Sequence, residues 1–144
     1  MVAIDTNIAV RLLVNDDPEQ SGKAAALFRV DDIFIPKTVV LETEWVLRAV
    51  YRLDHLRVNS ALRGLLSLEQ VTVEDEVVLF AALDAHGKGM DFADALHLSS
   101  SRRADSFATF DAAFRERAGK LEMLPGVREA YQFESYNGIA ASTR

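Results

Sequence analysis

The stretch Val2-Ala3-Ile4-Asp5-Thr6-Asn7 joins a short apolar run to a polar junction where a helix begins. That pattern reads as a β-strand delivering an acid to its carboxyl end. Two further apolar runs, Ile33 to Ile35 and Val71 to Val73, repeat it, and Phe107 to Phe110 and Leu121 to Leu124 are additional strand candidates. Helical patterns fill the intervals. Asp16-Asp17-Pro18-Glu19 combines an Asp cap, a proline at a first-turn position and an acid near the positive end of the helix dipole, so a helix is expected to about Arg29. Pro36 ends the second strand, and Thr38 is read as the cap of a helix through Val39, Val40, Trp45, Val46, Leu47 and Val50. Further helices are expected over Val58 to Leu68, from near Glu74 to Gly87-Lys88-Gly89, from Asp91 to about Ala104, and over Ala112 to Ala118. Strands alternating with helices imply an α/β fold, a three-layer α/β/α sandwich around a central parallel sheet.

The 144 residues suit one domain, and a hydrophobic content of 49% suffices for one core. That domain is expected over residues 1–130. Beyond Ala130 the periodicity is lost, and 131–144 reads as a flexible tail or partner-binding arm. The chain has no cysteine, which removes disulfides, thiolate nucleophiles and Cys-ligated zinc or iron-sulfur centres. With no basic leader at Met1 and no apolar run near the ~18 residues of a membrane span, the expectation is a soluble cytoplasmic protein without membrane contact. A net charge of −6 argues against a broad nucleic-acid-coating surface. A small basic rim remains possible, with Arg48, Arg52, Arg57 and Arg63 as its candidates, though scattered helical arginines are more often solvated charge.

The candidate chemistry lies in carboxylates. Asp5 and Asp111 each close an apolar strand before a helix, and ligands of open α/β sheets bind at that edge. The competing reading of each is a helix cap, although Thr6 or Asn7 could cap in place of Asp5. Glu44 has Arg48 four residues on, a favourable surface pair. Glu42 instead has Val39, Trp45 and Val46 as its helical neighbours, so it reads as an acid interrupting an apolar stripe, costly unless compensated. Asp91 and Asp94 open one helix in a pattern resembling a capping box. One cap is enough there, so Asp91 is read as cap or outer-shell acid and Asp94 as ligand, on the face of His97, Leu98 and Ser101. His97 by itself reads as a hydrogen-bonded structural residue, and His55 and His86 fall in linker-like contexts. Trp45 and the phenylalanines read as core.

Were Asp5, Glu42, Asp94 and Asp111 to converge, they would repel one another strongly, roughly 4 kcal/mol for two charges ~4 Å apart at an effective dielectric near 20. Such a cluster demands a cation or shared protons. All-oxygen ligation suits Mg²⁺ or Mn²⁺, which polarise phosphodiesters and activate water.

The ordered set Val2-Ala3-Ile4-Asp5-Thr6-Asn7, Val40-Leu41-Glu42, Asp91-Phe92-Ala93-Asp94-Ala95-Leu96 and Thr109-Phe110-Asp111 resembles the PIN domain, in particular the VapC-type toxins of bacterial toxin-antitoxin pairs. The resemblance covers about Met1 to Ala130. It implies that the acids are Asp5, Glu42, Asp94 and Asp111, supported through hydrogen bonds by Thr6, Asn7 and Thr109. It also implies Mg²⁺- or Mn²⁺-dependent endoribonuclease activity on an RNA substrate, dimerisation and silencing by a cognate antitoxin protein. Water on a metal held chiefly by Asp5 and Asp94, assisted by Glu42 and Asp111, would attack the phosphodiester. Two other functions stay open: a catalytically silent PIN-like module binding RNA or protein, and an aspartyl-phosphate phosphatase using Asp5 as nucleophile. The latter is weakened because Asn7 stands where haloacid-dehalogenase phosphatases place a second acid.

Overall fold

The computed structural model describes residues 1–130, so the proposed tail, 131–144, lies outside the described residues. Among the described residues the chain forms seven helices and five strands, all strand pairs parallel, an α/β architecture consistent with an α/β sandwich. It divides into two compact units at Ser100 and Ser101.

In the first unit, β1 (Val2–Ala3), β2 (Ile33–Ile35) and β3 (Val71–Val73) pair in that order. Val2 lies opposite Ile33, and Ile33 opposite Val71. Between β1 and β2 run α1 (Thr6–Leu13) and α2 (Pro18–Val30); between β2 and β3 run α3 (Lys37–Ala49) and α4 (His55–Leu66). Parallel crossovers are right-handed, so two successive crossovers in the same direction place both helix pairs on one face. The packing of α1 on both α2 and α3 fits that arrangement. After β3 come α5 (Glu76–Gly87) and α6 (Phe92–Ser99), which pack on each other. The core is apolar: Ile33, Ile35, Leu47, Leu62, Leu79, Leu83 and Leu98 are wholly buried.

The second unit holds β4 (Ser106–Thr109), α7 (Ala112–Lys120) and β5 (Gly126–Glu129). Its strands pair with Ser106 opposite Gly126 and Thr109 opposite Glu129. Phe107 stacks on Phe114 of α7, with ring centroids 5.2 Å apart.

Several boundaries differ from the sequence expectation, each for a local reason. Thr38 is not the cap of α3; Pro36 holds that position, and the amide of Lys37 donates instead to Glu74 Oε1 (3.2 Å). Helix α4 starts at His55 rather than Val58, because Asp54 accepts from the Arg57 amide (2.9 Å). Glu74 extends the β3 ladder by donating its amide to Ile35 O (3.1 Å), which delays α5 to Glu76. Helix α6 stops at Ser99, well before Ala104, where a run of serines offers the backbone competing partners. No strand forms at Leu121 to Leu124. Leu121 caps the end of α7, and the last strand begins only after Pro125, which has no N–H for a ladder.

Candidate active site

Asp5 follows β1 and caps α1: its Oδ1 accepts from the Ile8 amide at 3.1 Å. The expectation that Thr6 or Asn7 might take over this task is therefore corrected; both lie inside the helix. Asn7 turns towards α2, where its amide donates to Gln20 Oε1 (3.4 Å). Gln20 Oε1 also accepts from Arg11 Nε (2.8 Å), and Arg11 reaches Asp16 (2.6 Å) and the Tyr51 hydroxyl (3.1 Å). Tyr51 in turn donates to Asp16 (2.8 Å). These bonds tie α1 and α2 to Tyr51, just beyond the end of α3. The Tyr51 hydroxyl, with Arg11, holds the Asp16 carboxyl below its ordinary range, and Asp16 raises Arg11.

Asp91 caps α6, accepting from the Asp94 amide at 3.0 Å, as the capping-box pattern suggested. Asp94 is half-buried at the third helical position, and His97, one turn on, is exposed. In the second unit Asp111 caps α7 through the Phe114 amide (3.1 Å). The Thr109 hydroxyl accepts from the Asp111 amide (3.1 Å), and the Thr109 carbonyl accepts from Arg115 Nη1 (3.2 Å). Asp5, Asp91 and Asp111 thus use one carboxylate oxygen each as a helix cap. A carboxylate has two oxygens and about four acceptor positions, so capping does not exhaust it.

The two glutamates of α3 exchange the places expected of them. Glu42 is exposed and interrupts no buried stripe, because the core face of α3 runs through Val40, Thr43, Glu44 and Leu47. Glu44 is the buried acid, 3% exposed, bonded to Arg48 Nε at 2.8 Å. Trp45 is 53% exposed and not core, nor is Phe110. The misreading has one cause: Val39, Trp45 and Val46 look like a stripe in sequence, but the helix turns the opposite side inward. Glu42 keeps its place as a candidate through the ordered motif and not through the burial argument.

Glu44 and Arg48 pair as their spacing suggested, but a polar network between α4 and α5 escaped the sequence reading. Buried Asn59 of α4 donates from Nδ2 to the Leu83 carbonyl (2.8 Å) and contacts His86 Nδ1 at 3.0 Å, while its Oδ1 accepts from Arg63 Nε (3.0 Å). Arginine only donates, so the amide orientation is fixed. The Asn59 amide nitrogen is then the donor to His86, and Nδ1 of His86 is unprotonated. His86 is buried in α5 rather than in a linker, edge-on to His55 and Phe92, and burial holds its pKa below the ordinary histidine value. The bond to Glu44 raises the Arg48 guanidinium above its ordinary pKa, with a smaller contribution from Asp91. The spacing of Asn59 and Arg63 was the available signal.

Of the arginines proposed as a basic rim, Arg48 is bonded to Glu44, Arg57 lies 3.8 Å from Asp54, and Arg63 pairs with Asp84. Among the described residues no three Asp, Glu or His side chains are grouped so as to hold a metal ion. The donor chemistry at the strand-end junctions is carboxylate oxygen, the type that hard divalent cations take. Among the described residues no helix is long and apolar enough to cross a membrane.

No curated protein matches the chain. The model of the PIN domain family matches residues 2–120, a span that contains Asp5, Glu42, Asp94 and Asp111. With that match over most of its length, a parallel α/β architecture and acids at its strand-to-helix junctions, the chain belongs to the PIN domain family.

Proposed function

We propose that this chain is a Mg²⁺- or Mn²⁺-dependent endoribonuclease, the toxin of a VapC-type toxin-antitoxin pair, working in the cytoplasm as a homodimer silenced by a cognate antitoxin protein. PIN domains are typically nucleases that act on RNA or other nucleic acids and usually bind divalent metals. The observation that carries the reading is the family match over residues 2–120, which spans all four acids. The assigned roles are Asp5 and Asp94 as the principal metal-holding carboxylates, with Glu42 and Asp111 assisting. Thr6, Asn7, Asp91 and Thr109 support them. When bound, such a metal supplies polarisation of the phosphodiester and a water of lowered pKa.

The rest falls to the chain's own residues. Asp5 and Asp111 are fixed at strand ends by the amides they cap, so their carboxylates are oriented before any ligand arrives. The Thr109 hydroxyl fixes the Asp111 backbone. Asp91, by taking the cap of α6, relieves Asp94 of that task. The test is Asp5→Asn. Asparagine caps helices about as well as aspartate, so α1 and the overall stability are preserved. RNA cleavage is expected to vanish; a folded variant that still cleaves at the wild-type rate would remove Asp5 from the chemistry.

A further inference from the structure

Asn7 of α1 and Gln20 of α2 are exposed polar residues of the kind that water ordinarily serves. Here they are joined to a third group whose donor chemistry decides how each amide faces. Asn7 and Arg11 stand four residues apart, so both lie on one face of α1. From α2 a single atom, Gln20 Oε1, serves them both, accepting from Arg11 Nε at 2.8 Å and from Asn7 Nδ2 at 3.4 Å. Arg11 is itself held by Asp16 (2.6 Å) and by the Tyr51 hydroxyl (3.1 Å), with its side chain only 22% exposed. Gln20 is anchored at the backbone as well, since its amide donates to Asp17 Oδ1 (3.1 Å) in the cap of α2.

Arginine has donors and no acceptor, so Gln20 must present its oxygen, not its nitrogen, to Arg11. That oxygen can bond Asn7 only through an Asn7 N–H, and the Asn7 carbonyl oxygen is then the branch turned away from Gln20. Polarity thus passes from Arg11 through Gln20 to Asn7, two residues after Asp5. An acceptor on Asn7 suits a partner that donates, a water or a hydroxyl and not a bare phosphate oxygen. We infer that Gln20, backed by Arg11, is a positioning residue for RNA cleavage, holding Asn7 so that its carbonyl oxygen accepts from water or a substrate hydroxyl at the Asp5 junction. This inference rests on the nuclease reading and on Asn7 as a support of the acids. Gln20 touches no reacting atom in this role and acts through Asn7.

The test uses the full chain with single-stranded RNA in Mn²⁺, measuring kcat and KM separately, together with the ¹⁵N resonance of the Asn7 side-chain amide, identified by its loss in Asn7→Ala. Gln20→Leu removes the shared acceptor and is expected to lower kcat roughly 2- to 10-fold, the range of one hydrogen bond, with KM unchanged. It should also shift the Asn7 resonance. Gln20→Glu keeps an acceptor for both donors and should restore both kcat and the resonance. In an Asn7→Ala background Gln20→Leu should cost nothing more, because its effect runs through Asn7. Wild-type kcat in Gln20→Leu overturns the inference, as does a Gln20→Glu protein as slow as Gln20→Leu, or losses that multiply in the double variant. In each of these cases wild-type protein cleaves and the nuclease reading stands. If wild-type protein cleaves no RNA in Mn²⁺, the nuclease reading falls; an Asn7 resonance that shifts in Gln20→Leu and returns in Gln20→Glu then leaves the hold on Asn7 standing, and an unmoved resonance overturns that too.

Discussion

Replacing Asn59 with aspartate isolates what the buried amide does for the fold. Asn59 Nδ2 satisfies two buried acceptors, the Leu83 carbonyl at 2.8 Å and His86 Nδ1 at 3.0 Å. A carboxylate of the same shape donates to neither. An unsatisfied buried polar group costs about 1–3 kcal/mol, so Asn59→Asp should lose about 2–4 kcal/mol near pH 7.5, partly relieved by the remaining bond from Arg63. The sign of the pH dependence is the sharper test. In the wild type His86 is held neutral, with its pKa depressed by burial. Its contribution is thus intact above the unfolded-state value of about 6.5 and is lost as the pH falls towards the folded value. In the variant, a protonated His86 has Nδ1–H facing a carboxylate, which favours the charged ring. The gap between the two proteins should narrow between pH 7.5 and pH 5.5. Urea unfolding at both pH values, read as the midpoint at unchanged slope, measures it. A loss under about 0.5 kcal/mol, or a gap that widens on acidification, would refute the proposed tautomer and hydrogen-bond assignment.

Other perturbations follow from the same geometry. Arg48→Met leaves the buried Glu44 carboxylate without its bonded cation; because Arg48 is itself half exposed, the loss in urea unfolding should be about 1–2 kcal/mol, less than for an enclosed pair. Thr109→Val removes the hydroxyl that accepts from the Asp111 amide, and should cost about 1 kcal/mol while reducing cleavage more than the stability loss explains. Unchanged cleavage in a folded Thr109→Val protein would detach Thr109 from the support of Asp111.

The strand-end acids were legible because their signal is local: a short, mostly apolar run, an acid and a helix start suffice to place Asp5 and Asp111 at strand-to-helix junctions. The order Asp91 as cap and Asp94 at the third position was legible for the same reason. What needed the structure was the direction in which α3 faces. Val39, Trp45 and Val46 are as apolar as Val40 and Leu47, and only packing against α1, α4 and α6 decides which set turns inward and buries Glu44 instead of Glu42. His86 escaped for a related reason, since its role depends on Asn59, 27 residues away. The final strand was displaced from Leu121–Leu124 to Gly126–Glu129 because α7 continues to Lys120 and Pro125 cannot join a ladder.

The decisive experiment is incubation of the purified chain, free of any partner protein, with single-stranded RNA and Mn²⁺. Internal cleavage that stops in EDTA, and in Asp5→Asn protein of wild-type stability, is the expected result. Intact RNA with wild-type protein, under conditions where Mn²⁺ is shown by calorimetry not to bind, would contradict it and leave a PIN-domain module that binds without cutting.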